Sequence, residues 1–286
     1  MAEENKFALL IDVDNISPKY VSVMLNEAKS YGGVSVRRAY GDWTDRTKKT
    51  WKECLLENSI IPMQQYSYTT GKNASDSSMI IDAMDILYTD NVDGFIIVSS
   101  DSDFTRLAMR LREAGKIVIG MGESKTPKAF VRSCEEFKVL DVLFQNTVEE
   151  EQNGSGDTAA AEEEDTSVET SPITKLSKIK RTIFNIIDQN SDEDGSMLLS
   201  ELGRLLTRKY PDFDERNYGK YRKFSEFIRM IDELEVVMEK SDGKQSSPIA
   251  YVRRKETPGQ QESAAQNSNS NAANSTSKKK KPRSRR

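Results

Sequence analysis

Phe7–Ala8–Leu9–Leu10–Ile11–Asp12–Val13–Asp14–Asn15 is an apolar run that breaks off at acids. Phe7–Asp12 reads as a β-strand, and similar β-prone runs recur at Val34–Tyr40, Ile60–Gln65, Gly94–Ser99, Lys116–Met121 and Lys138–Val142. Longer stretches with helical spacing fill the gaps. Strands alternating with helices are the signature of βαβ units around a mostly parallel sheet, so the expected fold class is α/β with flanking helices. Pro18 sits at a helix start and Gly32–Gly33 at a helix stop, while Ser75 or Asp76 and Ser102 or Asp103 occupy N-terminal capping positions.

Acids fall just after the strands: Asp12 and Asp14 after the first, Asp101 and Asp103 after the fourth, with Asp76 opening the intervening helix. Open α/β sheets bind ligands beyond the carboxyl ends of their strands where strand order reverses, between strands one and four in the common doubly wound orders. The two acidic clusters are therefore expected to face each other. Carboxylates sharing one site repel unless a cation neutralises them, and an all-oxygen site suits Mg2+ or Mn2+. Asp12, Asp76, Asp101 and Asp103 are the candidate metal ligands and catalytic acids; Asn15, Ser99 and Ser100 would orient ligands or substrate phosphate, and Lys72 would contact phosphate. Such a site fits phosphodiester hydrolysis by a metal-activated water, with no protein nucleophile. Capping alone accounts for Asp76 or Asp103 taken singly, but not for Asp12 at a strand end. Asp82 lies well round the helix from Asp76 and reads as solvated or set behind the ligands.

Composition narrows the chemistry further. The chain has 286 residues and no histidine, and its two cysteines, Cys54 and Cys134, have no metal-ligand spacing, which excludes zinc sites and His-dependent triads. Hydrophobic residues make up 36% and charged residues 31%, too polar for one packed globule, so two folded units plus unstructured sequence are expected. No run is long and apolar enough to span a membrane and no leader is visible, so a cytoplasmic protein with no membrane partner and no organic cofactor is expected. Glu149–Thr170 carries nine acids and no Lys or Arg and reads as an acidic linker; Lys278–Arg286 ends a Ser/Asn/Ala-rich segment as a basic, anion-binding tail.

The second unit starts near Ile173, with Ile179, Ile183, Ile186 and Ile187 and then Leu198, Leu199, Leu202, Leu205 and Leu206 at helical spacing. A third helix is expected over Lys220–Leu234. Val236–Glu239 and Ile249–Arg253, joined by a turn containing Asp242–Gly243, read as a hairpin, and three helices with a hairpin suggest a winged helix. Between the first two helices, Asn190, Asp192, Asp194, Gly195 and Glu201 approach a calcium-loop pattern. Asn at the first ligand position and leucine at the ninth argue against calcium, so this segment reads as a plain connection.

Leu10–Ile11–Asp12–Val13–Asp14–Asn15, Tyr40–Gly41–Asp42–Trp43, Gly71–Lys72–Asn73–Ala74–Ser75–Asp76 and Ser99–Ser100–Asp101–Ser102–Asp103–Phe104 resemble, in order, the motifs of NYN domains, a LabA-like branch of the PIN-like nuclease superfamily. That resemblance implies a PIN/Rossmann-like sheet and cleavage of RNA. Gly122–Pro127 resembles a fifth motif, which implies that Ser124 and Lys125 line the substrate groove. Tyr210–Pro211–Asp212–Phe213–Asp214, Asn217–Tyr218–Gly219 and Phe224–Ile228 resemble the LOTUS, or OST-HTH, domain, which implies an RNA-binding module. Arg216, Lys220 and Lys223, at i, i+4 and i+7, would share a helical face toward phosphates.

The expected organisation is a nuclease domain over 1–148, an acidic linker over 149–172, an RNA reader over 173–254 and a basic tail over 255–286. The linker acts as a flexible tether that lets one domain hold what the other cuts. Two rival readings remain at this stage: a non-catalytic RNA-binding regulator, and a haloacid-dehalogenase-like phosphohydrolase with Asp12 as nucleophile.

Overall fold

The computed structural model describes residues 4–66, 74–89, 91–152, 173–192, 194–239 and 248–255. Lys72, the Asp242–Gly243 turn, the basic tail and all of the acidic stretch beyond Gln152 lie outside those residues. The first unit runs β1 (Lys6–Asp12), α1 (Val21–Tyr31), β2 (Gly33–Gly41), α2 (Lys49–Glu57), β3 (Ile61–Gln64), α3 (Ala74–Thr89), β4 (Gly94–Val98), α4 (Thr105–Glu113), β5 (Ile117–Gly122), α5 (Lys128–Ser133), β6 (Glu136–Val139) and α6 (Leu140–Gln152). Its six strands form one parallel sheet in the order β3-β2-β1-β4-β5-β6.

The opening apolar run explains the layering. β1 is central, and every residue after Lys6 is buried. Phe7, Leu9 and Ile11 enter one core with residues of α1, α2 and α6, whereas Ala8 and Leu10 enter a second core with residues of α3, α4 and α5. A strand covered on both faces needs apolar residues at consecutive positions. Each large side chain so buried is worth about 1.5–3 kcal/mol. The chain crosses from one side of β1 to the other between β3 and β4, which makes the carboxyl ends of β1 and β4 neighbours.

The expected sixth strand, Lys138–Val142, is displaced: β6 ends at Val139 and the chain turns at once into α6. Leu140, Leu143 and Phe144 have the spacing of one helix face, and they pack in the core against α1. α6 also runs through Gln152, so the first four residues of the expected linker are helical.

The second unit contains α7 (Leu176–Asn190), β7 (Ser196–Leu198), α8 (Leu199–Lys209), α9 (Phe224–Arg229), β8 (Leu234–Glu239) and β9 (Ile249–Arg254). The hairpin strands pair antiparallel, and β7 adds a third strand beside β9. The segment read as a plain connection therefore carries a strand. Its Asp194 accepts from the amide and hydroxyl of Ser196 at 3.1 and 2.9 Å, turning the carboxylate onto its own loop. The third helix is six residues long, not the expected Lys220–Leu234. Gly219 at φ 145° breaks the chain before it, and a turn at Ile231–Leu234 starts β8 after it.

The two units touch directly. The Phe137 amide of edge strand β6 donates to the Pro211 carbonyl at 2.8 Å. Lys138 bonds Asp214 at 2.8 Å, and Arg216 forks onto Glu27 of α1 at 2.7 and 2.9 Å while its Nε holds Asp214 at 2.9 Å. Burial alone would push Asp214 up, but Arg216 and Lys138 beside it hold its carboxyl well below the usual range. Composition marks an acidic linker over 149–172, most of which lies outside the described residues, whereas these long-range ion pairs leave no mark in the sequence.

Candidate metal centre at the switch point

Three carboxylates converge beyond β1 and β4. One oxygen each of Asp76, Asp101 and Asp103 lies within 4.8 Å of the others. Their positions follow from local structure. Asp76 stands in the first turn of α3, and Asp101 follows β4 and caps the short turn Ser102–Phe104 by accepting from the Asp103 amide at 2.9 Å. The cap is thus Asp101, one residue before the expected position, because the strand ends at Val98 and the turn begins immediately at Ser102.

Asp12 lies behind this trio and is only 1% exposed. Its Oδ2 accepts from Ser99 Oγ and Asn15 Nδ2, both at 2.7 Å, and its Oδ1 from the Asp14 amide at 3.1 Å. Burial raises its pKa, against the pull of these donors. Ser99 also accepts from the Asp101 amide at 3.0 Å, so one hydroxyl ties the end of β1 to the loop after β4. Asn15 and Ser99, expected to orient ligands or substrate phosphate, hold Asp12, itself one of the candidate ligands. Its engaged oxygens leave a poor nucleophile, which disfavours the phosphohydrolase reading.

Asp76 carries the electrostatic cost of the cluster. Burial is the main cause, and Asp12, Asp101, Asp103 and Asp14 add repulsion, pushing its pKa up to about 6. A carboxyl raised in the folded state contributes stability that is present below its ordinary value near 3.8 and lost as pH rises through about 6. In metal-free protein Asp76→Asn should therefore raise the melting temperature at pH 7.5 and leave it unchanged at pH 3.5. Equal melting of the two proteins at pH 7.5 would remove the repulsion argument.

The remaining site expectations fall out unevenly. Ser100 Oγ accepts from the Glu123 amide at 2.9 Å, and Ser124 donates both its amide and its hydroxyl to Asp141, at 3.0 and 2.5 Å. Both serines therefore hold the loop after β5. Lys125 is exposed and pairs with Glu123 at 2.8 Å. Arg216 is committed to Glu27 and Asp214, and Lys220 pairs with Glu149 at 2.7 Å. Lys223 is exposed. The i, i+4, i+7 argument does not apply, because Gly219 separates the short turn Glu215–Tyr218 from α9.

Two further groups emerge from the structure. Lys48, buried, forms an ion pair with Asp14, whose other oxygen accepts from Ser75 Oγ at 2.7 Å. A Cβ on Gly41 would meet Val13 Cγ2 at 2.4 Å and come within 3.6 Å of Lys48 Nζ, so glycine permits this approach. Asp82, read as solvated or set back, is held by Arg38 and the Tyr40 hydroxyl. Lys48 stands among five other charged residues between Asp45 and Glu53, and no local pattern singles it out.

A six-stranded parallel sheet in this order, with carboxylates gathered past its central strands, defines a PIN/Rossmann-like α/β domain. Residues 6–141 match the NYN domain and residues 174–247 the OST-HTH/LOTUS domain, so the chain carries an NYN domain followed by an OST-HTH/LOTUS domain. The first family is nuclease-like and the second binds RNA. No curated protein matches the chain. Among solved structures it is similar to a protein of unknown function from Vibrio parahaemolyticus, at 21% identity and a TM-score of 0.42, over 49% of this chain and 96% of that one. Among the described residues no helix is long and apolar enough to cross a membrane.

Proposed function

We propose that the protein is a divalent-metal-dependent ribonuclease whose OST-HTH/LOTUS unit binds the RNA. The observation that carries this reading is the convergence of Asp76, Asp101 and Asp103 within 4.8 Å, at the position where a parallel sheet presents ligands. The donor set fits a hard dication: three carboxylate oxygens, no nitrogen or sulfur, and a carboxyl at Asp76 strained upward by its neighbours. Asp76, Asp101 and Asp103 would hold Mg2+ or Mn2+. When bound, such an ion supplies a water acidic enough to attack near neutral pH and positive charge for the phosphoryl oxygens.

The chain's own part is positioning. Ser99 and Asn15 fix Asp12, and Asp12 adds negative charge behind the trio, which strengthens the preference for a cation. Lys48 and Ser75 anchor Asp14 between the end of β1 and the start of α3. The test is incubation of mixed-sequence RNA with Mn2+, Mg2+ or EDTA. Shortened RNA in the metal lanes alone is expected; intact RNA in every lane would leave an RNA-binding regulator.

A further inference from the structure

We propose that the seam between the two units is a phosphate-binding cleft that grips RNA at the edge of the sheet opposite the carboxylates. The proposal rests on the reading of RNA as ligand and names where on the molecule the strand is held. A cleft of about 960 Å3 opens between the units. Arg112 and Arg132 line it from the NYN side, and Lys178, Arg204, Arg208 and Lys209 from the OST-HTH/LOTUS side.

The acids on the same walls do not balance these six cations. Glu136 accepts from the Tyr31 hydroxyl at 2.7 Å and lies 3.8 Å from Lys138, and Asp212, 5% exposed, takes the Thr174 amide. Among the described residues, Glu135 is the acid of these walls left exposed without such a tie. Among the cations, Arg204 has its own partner in Glu201, and Lys178 lies over the Tyr210 ring at 5.4 Å. Arg132, Arg208 and Lys209 are exposed and have no carboxylate partner among the described residues. Arg204 and Arg208 stand one turn apart on α8 and so present two guanidinium groups along one face. Arg112 donates to the Ser133 carbonyl at 3.1 Å, which fixes its head at the cleft wall. Converging positive charge of this kind is relieved by an anion, and guanidinium groups match phosphate in a forked geometry.

Placement gives the cleft its role. Arg112 stands in the last turn of α4, shortly before β5, Glu135 precedes β6 and Glu136 opens it, so the cleft lies at the amino ends of the strands. The carboxylates lie at the other ends. β1, seven residues long, sets a separation of roughly 20 Å at a rise of about 3.3 Å per residue. A strand held in the cleft must pass round the sheet to reach the acids, so only RNA long enough to span both should feel the cleft. The docking of the second unit on β6 creates this surface, since neither unit alone supplies both walls.

Two full-length variants test it, one per wall: Arg132→Glu, and Arg208→Glu with Lys209→Glu. All three side chains are exposed, and thermal melts at wild-type temperature confirm folding. Fluorescence anisotropy of a labelled 20-nucleotide single-stranded RNA in EDTA should show binding weaker by about tenfold for the pair and about threefold for Arg132→Glu, with salt slopes reduced by about 1.4 and 0.7. A dinucleotide cut in Mn2+ should be turned over at the wild-type rate by both. Loss confined to the α8 variant would place the RNA on the second unit alone and overturn the seam. Unchanged affinity in both would also overturn it, whether or not RNA is cut; weakened binding with no cleavage by any protein keeps the cleft and removes the ribonuclease reading.

Discussion

Asp101→Asn should reduce Mn2+-dependent RNA cleavage at least about hundredfold, a loss of about 2.7 kcal/mol of transition-state stabilisation. The substitution is nearly isosteric, and its amide oxygen still accepts from the Asp103 amide, so the cap on Ser102–Phe104 survives. What disappears is one of three negative charges in the cluster. The variant should therefore melt no lower than wild type and bind RNA as tightly in EDTA. Cleavage at the wild-type rate would show that the convergence of acids is not where the chemistry happens. A lowered melting temperature with proportionally lowered cleavage would point to folding instead.

Asp214→Ala has the largest expected effect on stability. Asp214 is 4% exposed and bonds both Lys138 and Arg216, and its Oδ1 also accepts from the Arg216 amide at 3.0 Å. Removing it leaves the Lys138 ammonium in a buried place without its main counterion, since Glu136 lies farther off at 3.8 Å. Breaking a buried pair in this way costs about 3–5 kcal/mol. Chemical denaturation should show the loss, and limited proteolysis should find the seam opened. Adding Lys138→Met to Asp214→Ala should recover part of the stability, because the uncompensated charge goes with it. A wild-type midpoint in the single variant would mean that the network contributes nothing to docking.

How much was legible in the sequence depended on the range of the interaction. Asp12 and Asp101 were readable as residues at the carboxyl ends of central strands because a strand's apolar run is local and its end marks an edge of the sheet. The neighbourhood of β1 and β4 then followed from the usual order of such sheets. Leu140 and Val142 misled, because a short apolar run fits either period, and the packing of Leu140, Leu143 and Phe144 against α1 selects the helix. Arg216 misled for a different reason. Its partner Glu27 is 189 residues away, and an arginine in a polar segment looks the same whether it meets a phosphate or a carboxylate. Ser124 and Asn15, expected at the site, bond to Asp141 and Asp12, partners that no local pattern announces.

The bond from Phe137 to Pro211 bears on self-association. A parallel sheet has two open rims, and unpaired rims recruit other chains. Here β6 is shielded by the neighbouring unit, while β3 is four residues long and includes Pro62, which has no amide hydrogen to offer. Cutting the chain after Gln152 would bare the β6 rim, and such a fragment should grow in light scattering at concentrations where the whole protein stays dispersed.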